Sequence, residues 1–104
     1  MSGYHTDTEE SVTTKSRDEV TEPPMFKVLL HNDDYTTMEF VVEVLMRVFH
    51  KSVEDSTRIM LKVHREGVGL CGLYTHEVAE TKVDTVHSLA RERGFPLKSS
   101  MERE

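Results

Sequence analysis

The stretch MFKVLLHNDDYTTMEF, residues 25–40, decides the fold. Its first seven residues, MFKVLLH, are an apolar run rich in branched side chains and read as a short buried strand. Asn32, Asp33 and Asp34 then stop it, as turn-forming residues do. Thr36 and Glu39 have the spacing of a capping box, with Thr36 at the N-cap and Glu39 three residues on. Met38, Val41, Val42, Leu45, Val48 and Phe49 follow at spacings of three and four, the stripe of an amphipathic helix. A strand therefore turns sharply into a helix across three adjacent oxygen-bearing side chains. Those side chains are either a turn and nothing more, or acceptors for a positive charge.

Further along, Ser52 is placed to cap a second helix, with Glu54 and Asp55 at the positive end of its dipole. Ile59, Met60 and Val63 form its apolar face, His64 adjoins that face, and Gly67 is a natural C-terminal stop. VGLCGLYTHEVA, residues 68–79, reads as a strand, with Cys71, Leu73, Thr75 and Glu77 on one face. Gly69 and Gly72 within it suggest a bulge or a close backbone approach. A third helix is expected from about Glu80 to Arg93, stopped by Gly94, and LKSSMER is a candidate edge strand. The order β-α-α-β-α-β, with helices on one face of a small sheet, predicts a two-layer α+β sandwich: three antiparallel strands packed with three helices.

The chain has 104 residues, enough for one small domain. Residues 1–22 hold six acids against two bases and contain no Phe, Leu, Ile or Trp. Such a segment cannot bury enough apolar surface to offset its ordering entropy. Residues 1–24, closed by Pro23-Pro24, are therefore expected to be a disordered acidic arm, and residues 25–104 the folded domain. The net charge of −6 argues against a nucleic-acid binder. No apolar run is long enough to span a membrane, and the N-terminus lacks a signal-peptide core. The single cysteine, Cys71, forms no internal disulfide, which fits a reducing cytoplasm. The six histidines are scattered without ligand spacing, so no metal or other cofactor is expected.

If the second helix packs antiparallel to the first, Met60, Val63 and His64 come near Met38 and Val41. Acceptors would then stand on one side of a shallow site with an apolar floor. Such a site suits a ligand with a positive group beside a bulky apolar one, and a free protein N-terminus is such a ligand. Its α-amino group has a pKa of roughly 7.7–8.0 and is mostly protonated at neutral pH.

PPMFKVLLHNDDYTTMEFV, the Arg58–Gly67 region (R-IML-VHREG), LCGLYTHEVAETKV and the terminal PL together resemble the ClpS adaptor family over about residues 23–98. The resemblance implies a fold similar to the C-terminal domain of the ribosomal stalk protein. It also implies a non-catalytic adaptor that binds proteins with Leu, Phe, Tyr or Trp at the N-terminus and hands them to a Clp ATPase–protease. By the same resemblance, Asn32 and His64 would bind the α-amino group, and Asp33 would reach it directly or through water. Asp34 would shape the local charge. Thr36, Met38, Val41, Met60, Val63 and Leu97 would line the side-chain pocket, with Met38 gating against Ile and Val. Glu77 and Lys82 would dock on the N-terminal domain of a ClpA- or ClpC-type ATPase, and the acidic arm would be the extension engaged during delivery. The protein is expected to act as a monomer.

Three positions depart from the family pattern: Thr37 stands where Pro is usual, His31 where an aliphatic residue is common, and His76 where a small one is. Loss of proline's fixed φ at Thr37 would loosen the entry loop. His76, beside Glu77, could make docking sensitive to pH. Two other readings compete. One is a small hydrolase in which Asp33 or Asp34 activates His64, which lacks a candidate nucleophile. The other is a ribosome-associated module, suggested by fold analogy alone.

Overall fold

Strand β1, Met25–His31, is the middle strand of the sheet, in agreement with its apolar run. The computed structural model describes residues 23–104, so the expected disordered arm lies outside the described residues except for Pro23 and Pro24, which are exposed. The element order is β1, α1 (Met38–Arg47), α2 (Val53–Glu66), β2 (Val68–Thr75), α3 (His76–Arg93) and β3 (Lys98–Arg103). Both outer strands pair antiparallel to β1, giving the order β2-β1-β3. The helices pack against one face, and the expected two-layer α+β sandwich is the observed architecture.

The core lies between the layers. Val28 and Leu30 of β1 are fully buried there, with Val44 and Leu45 of α1, Ile59 and Val63 of α2, and Ala79, Val86 and Ala90 of α3. The expected stripe of α1 included Met38 and Val42, but the structure buries Phe40 and Val44 and leaves Met38 43% exposed. Phe40 packs on Phe95, ring centres 4.9 Å apart, so α1 is covered from a second side by the segment after α3. Glu43 ties the same two regions together. Its carboxylate accepts bonds from Arg93 at 2.9 and 2.5 Å and from Arg47 at 2.8 Å. The Arg93 bonds, then the Arg47 bond, hold its pKa down to about 2.

Three boundaries differ from expectation. The N-cap of α1 is Thr37, whose hydroxyl accepts the Phe40 N–H at 3.1 Å; Thr36 is engaged elsewhere. The residue in proline's usual place thus supplies a side-chain cap to α1. Strand β2 ends at Thr75 and α3 begins at His76, four residues earlier than expected. Glu77 is consequently an exposed residue in the first turn of a helix, not a strand residue. The expected face of Cys71, Leu73, Thr75 and Glu77 is also split. Val28 pairs with Gly72 and Leu29 with Leu70, so Cys71 is the extra residue of a bulge. Beyond it the faces exchange: Cys71 is buried, Leu73 is 41% exposed, and Tyr74 packs against the core. The caps Ser52 and Gly67 are as read from the sequence: Ser52 accepts the Asp55 N–H at 3.1 Å, and Gly67 has φ of 92°.

Candidate functional site

The turn after β1 is built around one carboxylate. Asp33 Oδ1 accepts the backbone N–H groups of Tyr35 at 2.8 Å and Thr36 at 2.7 Å. Its Oδ2 accepts the Thr36 hydroxyl at 2.7 Å. Partial burial pushes the Asp33 pKa up, but the Thr36 hydroxyl bond and the two backbone bonds outweigh it and hold the group below the usual carboxylate value. Asp33 is therefore both a turn-former and a fixed negative charge.

The Asn32 N–H donates to the carbonyl of Gly67 at 2.9 Å. That bond fastens the end of β1 to the C-terminal cap of α2, three residues beyond His64. The N-terminal end of α1 and the C-terminal half of α2 thereby enclose a cavity of about 230 Å³, lined by Asn32, Asp33, Asp34, Thr36, Met38, Val41, Met60, Val63 and His64. Nine of the ten expected site residues meet here. The tenth, Leu97, is buried, 3% exposed, and lines a separate depression with His87, Phe95 and Pro96.

The cavity has two characters. Asn32, Asp34 and His64 are exposed polar groups at its rim, with the Asp33 carboxylate among them. Val41, Met60 and Val63 are buried and form the apolar wall. Met38, 43% exposed in the first turn of α1, lines the cavity as well. A space of about 150 Å³ holds a benzene-sized ring, so an aromatic side chain and an attached amine fit together. The lining offers no activated nucleophile: its one hydroxyl, Thr36, is donated to Asp33. Burial pushes the Cys71 thiol up to about 12, against the pull of Lys51.

A larger depression, about 580 Å³, lies between the end of α1 and the outer side of α3. Glu77 and Lys82 line it, together with Arg47, His50, Val78 and Thr81. The sequence reading missed the latter four, which no local motif marks. Lys82 does more than line the groove. Its Nζ donates to the Val48 carbonyl at 2.6 Å, at the C-cap of α1, and lies 5.5 Å from the Tyr74 ring centre and 6.0 Å from that of Phe49. The ring of His76 meets Phe26 edge-on at 5.0 Å, and His31 Nε2 lies 2.6 Å from the Ser100 hydroxyl on β3. Neither histidine lines the cavity.

Among the described residues, no helix is long and apolar enough to cross a membrane, and no group of three potential metal ligands occurs.

Comparison with known proteins matches residues 21–100 to a family described as ATP-dependent Clp protease adaptor protein ClpS. The ATP-dependent Clp protease adapter protein ClpS of Desulforapulum autotrophicum is 68% identical over 82 residues, covering 79% of each chain. That of Desulfatibacillum aliphaticivorans is 67% identical over 93 residues, covering 89% of each. Among solved structures, Agrobacterium tumefaciens ClpS2 bound to L-phenylalaninamide superposes with a TM-score of 0.77 at 41% identity, covering 80% of this chain and 100% of that one. With a strand-turn-helix carrying the acceptors, a facing helix carrying the apolar wall, and these relatives, the chain belongs to the ClpS family of Clp protease adaptors.

Proposed function

We propose that this protein captures the free N-terminus of proteins beginning with Leu, Phe, Tyr or Trp and presents them, uncut, to a Clp ATPase. The observation that carries this reading is the division of one cavity into an anionic, acceptor-bearing rim and an apolar wall. Asn32, Asp33, Asp34 and His64 receive the α-ammonium group; Met38, Val41, Met60 and Val63 receive the first side chain. The ligand of the related Agrobacterium protein supports the assignment. L-phenylalaninamide has a free α-amino group, a benzyl side chain and an amide where a second residue would begin. The ligand's α-amino group must carry its proton to meet these acceptors, so binding weakens as the amine deprotonates above roughly pH 8.

The test is fluorescence anisotropy with labelled peptides beginning in Leu, Phe, Ile and acetyl-Leu. Leu and Phe peptides bind; Ile and acetyl-Leu peptides bind at least about tenfold more weakly, the equivalent of 1.4 kcal/mol. Equal affinity for acetyl-Leu eliminates amine capture. In Met38→Ala the Ile peptide gains affinity, because branching at Cβ no longer meets the Met38 side chain.

The groove of Glu77 and Lys82 is the proposed dock for the N-terminal domain of a ClpA- or ClpC-type ATPase, and the two residues serve it differently. Glu77 is exposed and free to meet the partner, whereas Lys82 braces the groove through Val48. Glu77→Ala abolishes delivery in a reconstituted degradation assay and leaves melting temperature and peptide affinity unchanged. Lys82→Ala loses delivery and also about 2 kcal/mol of stability, the scale of a hydrogen bond to a charged group. If Lys82→Ala melts with the wild type, the Val48 bond does not hold the groove.

A further inference from the structure

Helix α2 has two working sides. Met60, Val63 and His64 face the substrate cavity, while Arg58 and Lys62, one turn apart, border a different depression. This second depression, about 260 Å³, is completed by Lys51 and by Leu70 and Gly72 of β2, an outer strand of the sheet. Three cations thus converge on one spot of a chain whose net charge is −6. Arg58 has an exposed partner in Asp55 at 3.3 Å; among the described residues no carboxylate pairs with Lys51 or Lys62.

The chain enters the fold close by. Met25 pairs with Thr75, and Val28, three residues on, pairs with Gly72 at the patch. The separation is three strand residues, about 10 Å, and one strand spacing, about 5 Å. Residues 18–22 precede Met25 by three to seven positions and reach roughly 10–25 Å from it. They contain Asp18, Glu19 and Glu22 and no base. The other acids of the arm, Asp7, Glu9 and Glu10, lie much further along and would close a longer loop.

We propose that Lys51, Arg58 and Lys62 form the docking site of the chain's own acidic segment 18–22, which lays the arm along the outer edge of β2. Exposed ion pairs are individually weak and screened by salt, so the docking is reversible. The body of α2 keeps the docked segment out of the substrate cavity, and the arm is presented beside a bound N-terminus rather than in competition with it.

The test is the amide NMR spectrum of the full-length, 15N-labelled protein, wild type against Lys51→Glu/Lys62→Glu. The expected result is a change at Asp18, Glu19 and Glu22 larger than at Asp7, Glu9 and Glu10. Raising salt on the wild type moves the same amides in the same direction. Adding Asp18→Lys, Glu19→Lys and Glu22→Lys to the reversed patch restores the wild-type-like response at Leu70 and Gly72. Should the charge-reversed protein lose its dispersed core signals, Lys51→Gln/Lys62→Gln takes its place. Arm amides that ignore the patch overturn the proposal. They overturn it equally where added poly-glutamate titrates Lys51 and Lys62, because the surface then serves an acidic partner in trans.

Discussion

Asp33→Ala weakens every peptide with a free bulky N-terminus by about 100-fold, and Asp33→Asn by about tenfold. The larger figure combines two losses. One is the charge facing the ligand ammonium; a hydrogen bond to a charged group contributes about 1.5–3 kcal/mol. The other is the turn itself, since Oδ1 holds the N–H groups of both Tyr35 and Thr36, and Oδ2 holds the Thr36 hydroxyl. Asparagine keeps a carbonyl oxygen for the two backbone donors, but its amide nitrogen stands where Oδ2 accepted the Thr36 hydroxyl, so it loses the charge and that one bond. The ratio of the two variants therefore isolates the part of the turn held by the two backbone bonds, and Leu and Phe peptides suffer alike because neither loss touches the apolar wall. The native bonds hold the Asp33 pKa below its usual value, so the charge is complete above the ordinary carboxylate range and is lost only as pH falls beneath it. Titration calorimetry with Leu and Phe peptides measures both variants, and wild-type affinity in Asp33→Asn removes the carboxylate charge from the binding account.

That dual use of Asp33 shows where sequence reading reached and where it stopped. The turn, the following helix and the caps at Ser52 and Gly67 all follow from local signals, and the observed elements agree. The choice of site residues drew on the family resemblance, since three turn-formers after a strand do not by themselves announce a ligand. The capping-box spacing to Glu39 points to Thr36 as the cap, but the neighbouring Thr37 hydroxyl can serve equally well. The choice fell to Asp33, which takes Thr36 and leaves Thr37 for α1. The start of α3 was hidden for a similar reason. Thr75 makes no side-chain cap bond, and the period of two continues into His76 and Glu77. The bond from Lys82 to Val48 is not legible in the sequence, because its acceptor is a backbone carbonyl 34 positions away. Leu97 was drawn into the site by resemblance, but here it is a core residue beside a different depression.

Gly69→Val removes about 2–3 kcal/mol of stability and lowers the melting temperature by roughly 10–20 °C, the usual conversion for a domain of this size. The cause is not backbone freedom but contact distance. A Cβ on Gly69 would stand 2.6 Å from Val63 Cγ2 and 3.5 Å from both the Cγ2 and the carbonyl oxygen of Ile59. Val63 and Ile59 are buried core residues on α2, so the obstruction is a packed helix rather than a movable side chain. Gly72 is the internal comparison. A Cβ there meets the Tyr74 ring, at 2.7 Å from its hydroxyl, and that half-buried ring can swing outward. Gly72→Ala therefore costs clearly less than Gly69→Ala. The effect at Gly69 extends to function, because Val63 is also part of the apolar wall. Pushing α2 off β2 displaces Val63 and Met60 while leaving the Asp33 turn in place. In the fraction of Gly69→Val protein that remains folded below its melting temperature, Leu and Phe peptides lose affinity unequally, in contrast to the uniform loss in Asp33→Ala. Thermal melting followed by anisotropy on the same sample reads both effects. A melting temperature within a few degrees of wild type means that α2 does not rest on Gly69 as the distances require.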